Sequence, residues 1–172
     1  MRTICAFGLL LALAAAPALA QSATGAPVSF GGDVGLFAPF SSGSSSSLTG
    51  RFTADVYAWG PTAMRFALGF ANPWLGDAPF QGHADTLYLT AGAIRKFERA
   101  GARPYGHAGV GIYHLSGKRS STDLGLDFGG GFEVPLGMKH LLLTPELTGH
   151  VISGNGPRFS LALTLGLHTR PR

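Results

Sequence analysis

The chain has 172 residues, a formal net charge of +4 and only 13% charged residues. That length fits one domain, and its mild positive charge is scattered, with no basic cluster or nucleic-acid motif to support nucleic-acid binding. Ordinary soluble domains carry about 25% charged residues, so the low charge raises the question of what solvent this surface meets.

Residues 1–20, MRTICAFGLLLALAAAPALA, read as a secretory signal. Arg2 supplies the positive end, Ala6 to Ala15 the apolar run, and Ala18-Leu19-Ala20 a small-x-small cleavage site before Gln21. The apolar stretch is shorter than the ~20 residues a spanning helix needs. The only cysteine, Cys5, precedes the apolar run rather than ending it, which argues against a lipoprotein. The expected organisation is a Sec-type signal peptide over 1–20 and one β-barrel domain over 21–172, without a disulfide. Beyond the signal no apolar run reaches the length of a membrane helix, and the recurrent glycine disfavours helix interiors.

Eight strands are predicted, at 27–40, 50–59, 63–72, 85–97, 102–115, 121–136, 140–152 and 157–169. Successive side chains of a strand point to opposite faces. In the first, Val28, Phe30, Val34, Leu36 and Phe40 oppose Ser29, Gly31, Asp33 and Gly35. In the second, Phe52, Ala54 and Val56 oppose Arg51, Thr53 and Asp55; in the third, Met64, Phe66, Leu68 and Phe70 oppose Arg65, Ala67 and Gly69. The fourth sets Leu87, Leu89, Ala91 and Ala93 against Tyr88, Thr90 and Gly92, and the fifth sets Ala108, Val110 and Ile112 against Tyr105, His107, Gly109 and Gly111. The sixth, STDLGLDFGGGFEVPLG, is the clearest: Leu124, Leu126, Phe128, Phe132 and Val134 on one face, Asp123, Gly125, Asp127, Gly129, Gly131 and Glu133 on the other. The seventh places Leu141, Leu143 and Leu147 opposite Thr144, Glu146, Thr148 and His150, and the eighth places Phe159, Leu161, Leu163, Leu165 and Leu167 opposite Ser160, Ala162, Thr164, Gly166 and His168.

The odd-numbered connections, such as SSGSSSSLTG and NPWLGDAPFQGHAD, are longer and rich in Ser, Gly and Asp, while the even ones, such as WGPTA, ERAGAR and LGMKH, are short. With the N-terminus in the periplasm the even turns are periplasmic, the pattern of a transmembrane barrel. The greasy faces are continuous over almost every strand. The opposite faces are small as well as polar, which suits the narrow interior of eight strands, and they carry both signs: Asp33, Asp55, Asp127, Glu133 and Glu146 against Arg51 and Arg65. The expected fold is therefore an all-β, eight-stranded, antiparallel up-and-down barrel. Its apolar faces meet lipid and its lumen holds a packed polar network of those residues with His150. Lipid requires every backbone polar group to be paired internally, and a closed barrel does that. The rival is a soluble periplasmic barrel that turns the same Leu/Phe faces inward around an apolar ligand.

At STDLGLDFGGGFEVPLG, followed by LTPELTGHV and FSLALTLGL and preceded by YGHAGVGIYHLSG, the sequence resembles the small OmpA/OmpX-like barrels of the outer-membrane β-barrel family of Gram-negative bacteria. The resemblance covers about residues 27 to 168. It implies an outer-membrane location, assembly by the barrel-assembly machinery, and a structural, adhesive or surface-interaction role rather than catalysis. One departure is the ending LGLHTRPR, which lacks the terminal aromatic residue that the assembly machinery reads in the family.

His114-Leu115-Ser116 puts two polar side chains on one strand face, the lipid side by this phasing. It is similar to the His-x-Ser of the PagL lipid A deacylases, which implies Ser116 as nucleophile and His114 as base. A serine nucleophile also needs a group that orients its base. Gly117 follows Ser116 where that family has Asn, and the lipid-facing positions of the next strand are Leu124, Leu126 and Phe128, so the third member is missing. His107, His150 and His168 all phase inward but at different depths, so no metal site is expected, nor any cofactor. Lys118, Arg119 and Arg158, on outer loops, are candidate contacts for lipopolysaccharide phosphates. Arg95, Lys96, Arg99, Arg103 and Lys139 fall near the periplasmic turns. Phe37, Phe40, Trp59, Trp74, Phe80, Phe97, Tyr105 and Tyr113 are candidates for an interfacial aromatic girdle. Lumen glycines at 109, 111, 125, 129 and 131 leave gaps for water, though eight strands exclude a porin-sized pore. A monomer is expected. No ligand or adhesion target is legible in the loops.

Overall fold

The computed structural model describes residues 26–40, 46–72, 85–97, 101–116, 120–138, 140–154 and 158–170. They form eight strands: β1 (Val28–Pro39), β2 (Ser47–Trp59), β3 (Thr62–Asn72), β4 (Asp85–Lys96), β5 (Arg103–Ser116), β6 (Ser121–Pro135), β7 (Leu141–Ile152) and β8 (Arg158–Thr169). Each pairs antiparallel with its neighbour in sequence, and β1 pairs with β8, so the sheet closes into a barrel without an edge. Closure satisfies the backbone polar groups that an open sheet would leave exposed.

Seven of the predicted strands match to within two residues at each end. The difference is β2, which begins at Ser47 rather than at residue 50. The Ser-rich stretch carries on the alternation: Ser47 and Thr49 are buried inside while Leu48 is exposed outside. Thr49 also donates its hydroxyl to the Phe70 carbonyl at 2.8 Å. Ser47, which the sequence reading puts in a loop, is thus the lumen-facing start of the strand.

A glycine in the left-handed region stands in each of the three even connections: Gly60 (φ 57°), Gly101 (φ 87°) and Gly137 (φ 76°). At Gly60 the register of β2 against β3 shifts by a bulge between Val56 and Trp59, which feeds the chain into the turn. The ladder between β6 and β7 breaks between Gly131–Glu146 and Val134–Leu143, where Pro145 has no N–H to give.

The faces divide as the alternation predicts. Val34 (70% exposed), Leu124 (68%) and Phe52 (66%) stand on the outer wall with the other Leu and Phe of the greasy faces. Asp33, Arg51, Asp55, Arg65 and Glu146, each at most 4% exposed, are inside.

Candidate functional site

Inside the barrel the charged side chains of six strands converge. Glu146 of β7 is the centre. Its Oε1 pairs with the Arg51 guanidinium of β2, and its Oε2 accepts from Arg65 Nη1 of β3 at 2.9 Å. Tyr105 of β5 donates its hydroxyl to Oε2 at 2.6 Å, Thr148 donates to Oε1 at 2.7 Å, and His107 Nε2 lies 3.1 Å from Oε1. Each arginine holds a second carboxylate. Arg51 Nε donates to Asp33 at 2.9 Å; Arg65 donates to Asp55 through Nε at 2.8 Å and Nη2 at 3.1 Å, a bidentate pair.

The chain of contacts runs on in both directions. His168 Nε2 of β8 sits 2.9 Å from Asp33, across the β1–β8 seam, and His107 Nδ1 sits 3.3 Å from Asp127 of β6. Lys96 of β4 pairs with Glu133 and lies 3.9 Å from Asp55, its ammonium 4.8 Å from the Tyr57 ring centre. Buried charge is costly unless paired and hydrogen-bonded, and these guanidiniums and carboxylates have one another.

Apolar layers lie above and below. Toward the odd connections, Tyr88, Tyr113, Leu115 and Ile152 form one buried cluster and Phe37, Ala71 and Ala162 another. Toward the even turns, Ala63, Ile94 and Tyr105 form a third, with Tyr57 against it. The lumen is thus a stack of an aromatic layer, an ionic layer and a second apolar layer.

The lumen glycines make room for these large side chains. A Cβ on Gly125 would stand 2.6 Å from the Tyr113 ring; on Gly131, 2.8 Å from the Tyr105 hydroxyl; on Gly129, 2.8 Å from His107 Nε2. At Gly109 it would meet Asp127 Oδ1 at 2.8 Å, and at Gly111 the Thr90 methyl at 2.5 Å. The expected gaps for water at these five positions are therefore corrected, because neighbouring atoms occupy the space that a side chain would take.

Solved structures share this architecture. Neisserial surface protein A superposes with a TM-score of 0.70 at 18% identity, over 83% of this chain and 96% of that one. A major outer membrane protein from Thermus thermophilus gives 0.59 at 16% identity, over 84% and 98%. The attachment invasion locus protein Ail of Yersinia pestis gives 0.53 at 12%, over 83% and 98%. This chain has the fold of the small eight-stranded outer-membrane barrels. No family model and no curated protein matches it, so the likeness is one of fold.

Of the residues assigned to the lumen from sequence, Asp33, Arg51, Asp55, Arg65 and Glu146 lie in one connected network, Asp127 joins through His107, and Glu133 through Lys96. His150 is inside but in the aromatic layer, its Nδ1 3.0 Å from the Tyr113 hydroxyl and its ring 5.1 Å from that of Tyr88. Lys96, assigned near the even turns, does end β4 there, and it points into the lumen, continuing the inward set Thr90, Gly92 and Ile94.

Three of the girdle aromatics are corrected in the same way. Phe37 (4% exposed), Tyr105 (4%) and Tyr113 (0%) face the lumen, on the parity of Asp33, His107 and Gly111. Phe40 and Phe97 are exposed on the outer wall. Trp74, Phe80, Arg99, Lys118, Arg119 and Lys139 lie outside the described residues, and Arg158 is exposed at the odd end of β8.

His114 is on the outer wall, opposite Thr122 of β6, with its Nδ1 3.0 Å from the Thr122 hydroxyl. Ser116 follows on the same face and is in register with Asp85 of β4. The imidazole is therefore oriented by a hydroxyl rather than by a carboxylate. Among the described residues no group of three or more His, Cys, Asp or Glu is arranged to hold a metal ion.

Proposed function

We propose that the protein is a monomeric, non-enzymatic barrel of the outer membrane with a structural or surface-interaction role, its lumen closed to solutes. The observation that carries this reading is the arrangement around Glu146, where paired charges fill the lumen while the large apolar side chains stand outside. A soluble ligand-binding barrel needs the reverse. The likeness of fold to Neisserial surface protein A and Ail supports an outer-membrane location. The N-terminus and the short even turns then face the periplasm, and the chain reaches the membrane through the barrel-assembly machinery. Arg158, with Lys118 and Arg119 by sequence, is at the outer end, where lipopolysaccharide phosphates are the partners that cations favour.

The purified barrel in planar bilayers is expected to show no porin-sized conductance. Sustained openings of that size would overturn the closed lumen. The alternative, a PagL-like lipid A deacylase using Ser116 and His114, rests on the shared outer face of those residues. Lipid A from cells expressing wild type and Ser116→Ala is expected to give the same mass spectrum, and loss of a deacylated species in the variant would transfer the assignment to the enzyme.

A further inference from the structure

The even mouth of the lumen holds polar groups that the network around Glu146 leaves unused. Its inward positions include Tyr57 of β2, Lys96 of β4, Arg103 of β5 and Glu133 of β6. Lys96 pairs with Glu133, and Asp55 is held by Arg65. Arg103 has the lumen parity of Tyr105 and His107 and is in register with Glu133. It is exposed all the same, so its guanidinium stands in the open mouth rather than in the packed layers. Among the described residues it has no carboxylate partner.

Tyr57 supplies a second group. Its ring packs against Ala63, Ile94 and Tyr105, with the Lys96 ammonium 4.8 Å from the ring centre. Its hydroxyl is buried, yet among the described residues it has no hydrogen-bond partner. A buried hydroxyl left unpaired costs free energy that a bound acceptor recovers. The Arg103 charge is within electrostatic reach of that phenol. Across the mouth Arg170, on the inward parity of His168, holds a buried Nε that is also unpartnered among the described residues.

All three groups can donate, and an anion with acceptor oxygens is what fits them. Ala63, Ile94 and Tyr105 close the way inward, so the ligand is small or is the tip of a chain. Glu133 and Asp55 lie in the same mouth, and their charge disfavours a doubly charged phosphate. A carboxylate is planar and singly charged, and it matches the guanidinium fork. Resting on the outer-membrane reading above, which turns this mouth to the periplasm, we infer that Arg103 and Tyr57 form a binding site for a carboxylate entering from the periplasm, with Arg170 adding charge across it.

The test uses the full chain in phosphatidylcholine nanodiscs, isotope-labelled at arginine and tyrosine, with each sample checked for a heat-shifted band on gels. Nuclear magnetic resonance follows the Arg103 Nε and the Tyr57 ring during titration with acetate, with N-acetylalanine as a model chain end, and with inorganic phosphate, each against chloride at equal ionic strength. Both signals are expected to move saturably with a carboxylate, and the tighter of acetate and N-acetylalanine tells a free acid from a chain end. Tyr57→Phe, read at Arg103, is expected to bind about tenfold more weakly, the loss of one hydrogen bond to a charged group. Arg103→Gln is expected to abolish the response of Tyr57, and Arg103→Lys to keep part of it. Shifts that chloride reproduces, tighter binding of phosphate than of either carboxylate, or wild-type affinity in Tyr57→Phe each overturn the site. A heat-shifted wild type without a saturable response removes the site alone, whereas a wild type without a heat-shifted band removes the membrane reading and the site with it.

Discussion

At Glu146 one carboxylate receives two guanidiniums, a tyrosine hydroxyl, a threonine hydroxyl and an imidazole, all inside the barrel. Removing its charge leaves Arg51 and Arg65 each with one carboxylate instead of two. Breaking one partner of a buried ion pair costs about 3–5 kcal/mol. Glu146→Gln is therefore expected to lower the stability of the vesicle-inserted barrel by about 3 kcal/mol in urea unfolding, whereas Arg158→Gln on the outer rim stays within about 0.5 kcal/mol. Equal effects would mean that the lumen charges are solvated rather than paired. The charged members of this network were legible because charge on the small-residue face of a strand has nowhere to go but the lumen. Tyr105 and Tyr113 were less so: the alternation sets Tyr105 on the lumen face, yet an aromatic near a strand end also fits an interfacial girdle. What decides is a partner far away in sequence: Gly131 and Gly125 on β6 leave the room that those rings occupy.

Each strand repeats one rule, large apolar side chains outward and small or charged ones inward, and the rule gave the strand boundaries almost everywhere. It was missed at the start of β2, where serine composition outweighed the alternation of Ser47, Leu48 and Thr49. It also holds through Pro145, a residue that ordinarily demotes a strand. Here the adjoining β6–β7 ladder yields locally, while β8 still pairs with Pro145 through Leu165. If the outer face meets lipid, a charge on it costs energy according to depth. Leu126→Arg, near the middle of β6, is expected to destabilise by about 2–4 kcal/mol, and Leu136→Arg, at the even rim, by under about 1 kcal/mol. Denaturant unfolding in vesicles measures both. A barrel with a wet exterior would tolerate the two alike.

The whole molecule inverts the arrangement of a soluble protein. The wall carries exposed Leu, Phe and Val all round, and the ionic layer is shut between apolar layers inside. Closure itself is reinforced at the β1–β8 seam, where His168 meets Asp33 from the other end of the chain. That pairing joins residues far apart in sequence and could be inferred only after eight strands had been counted and the sheet closed. The measurement that bears most directly on the inverted barrel is the behaviour of the native chain in fractionated cells, on detergent gels with and without boiling. The account predicts a band in the outer-membrane fraction whose mobility changes on boiling. An unshifted band in the soluble periplasmic fraction would contradict it, turn the Leu and Phe faces inward, and make the lumen a ligand site.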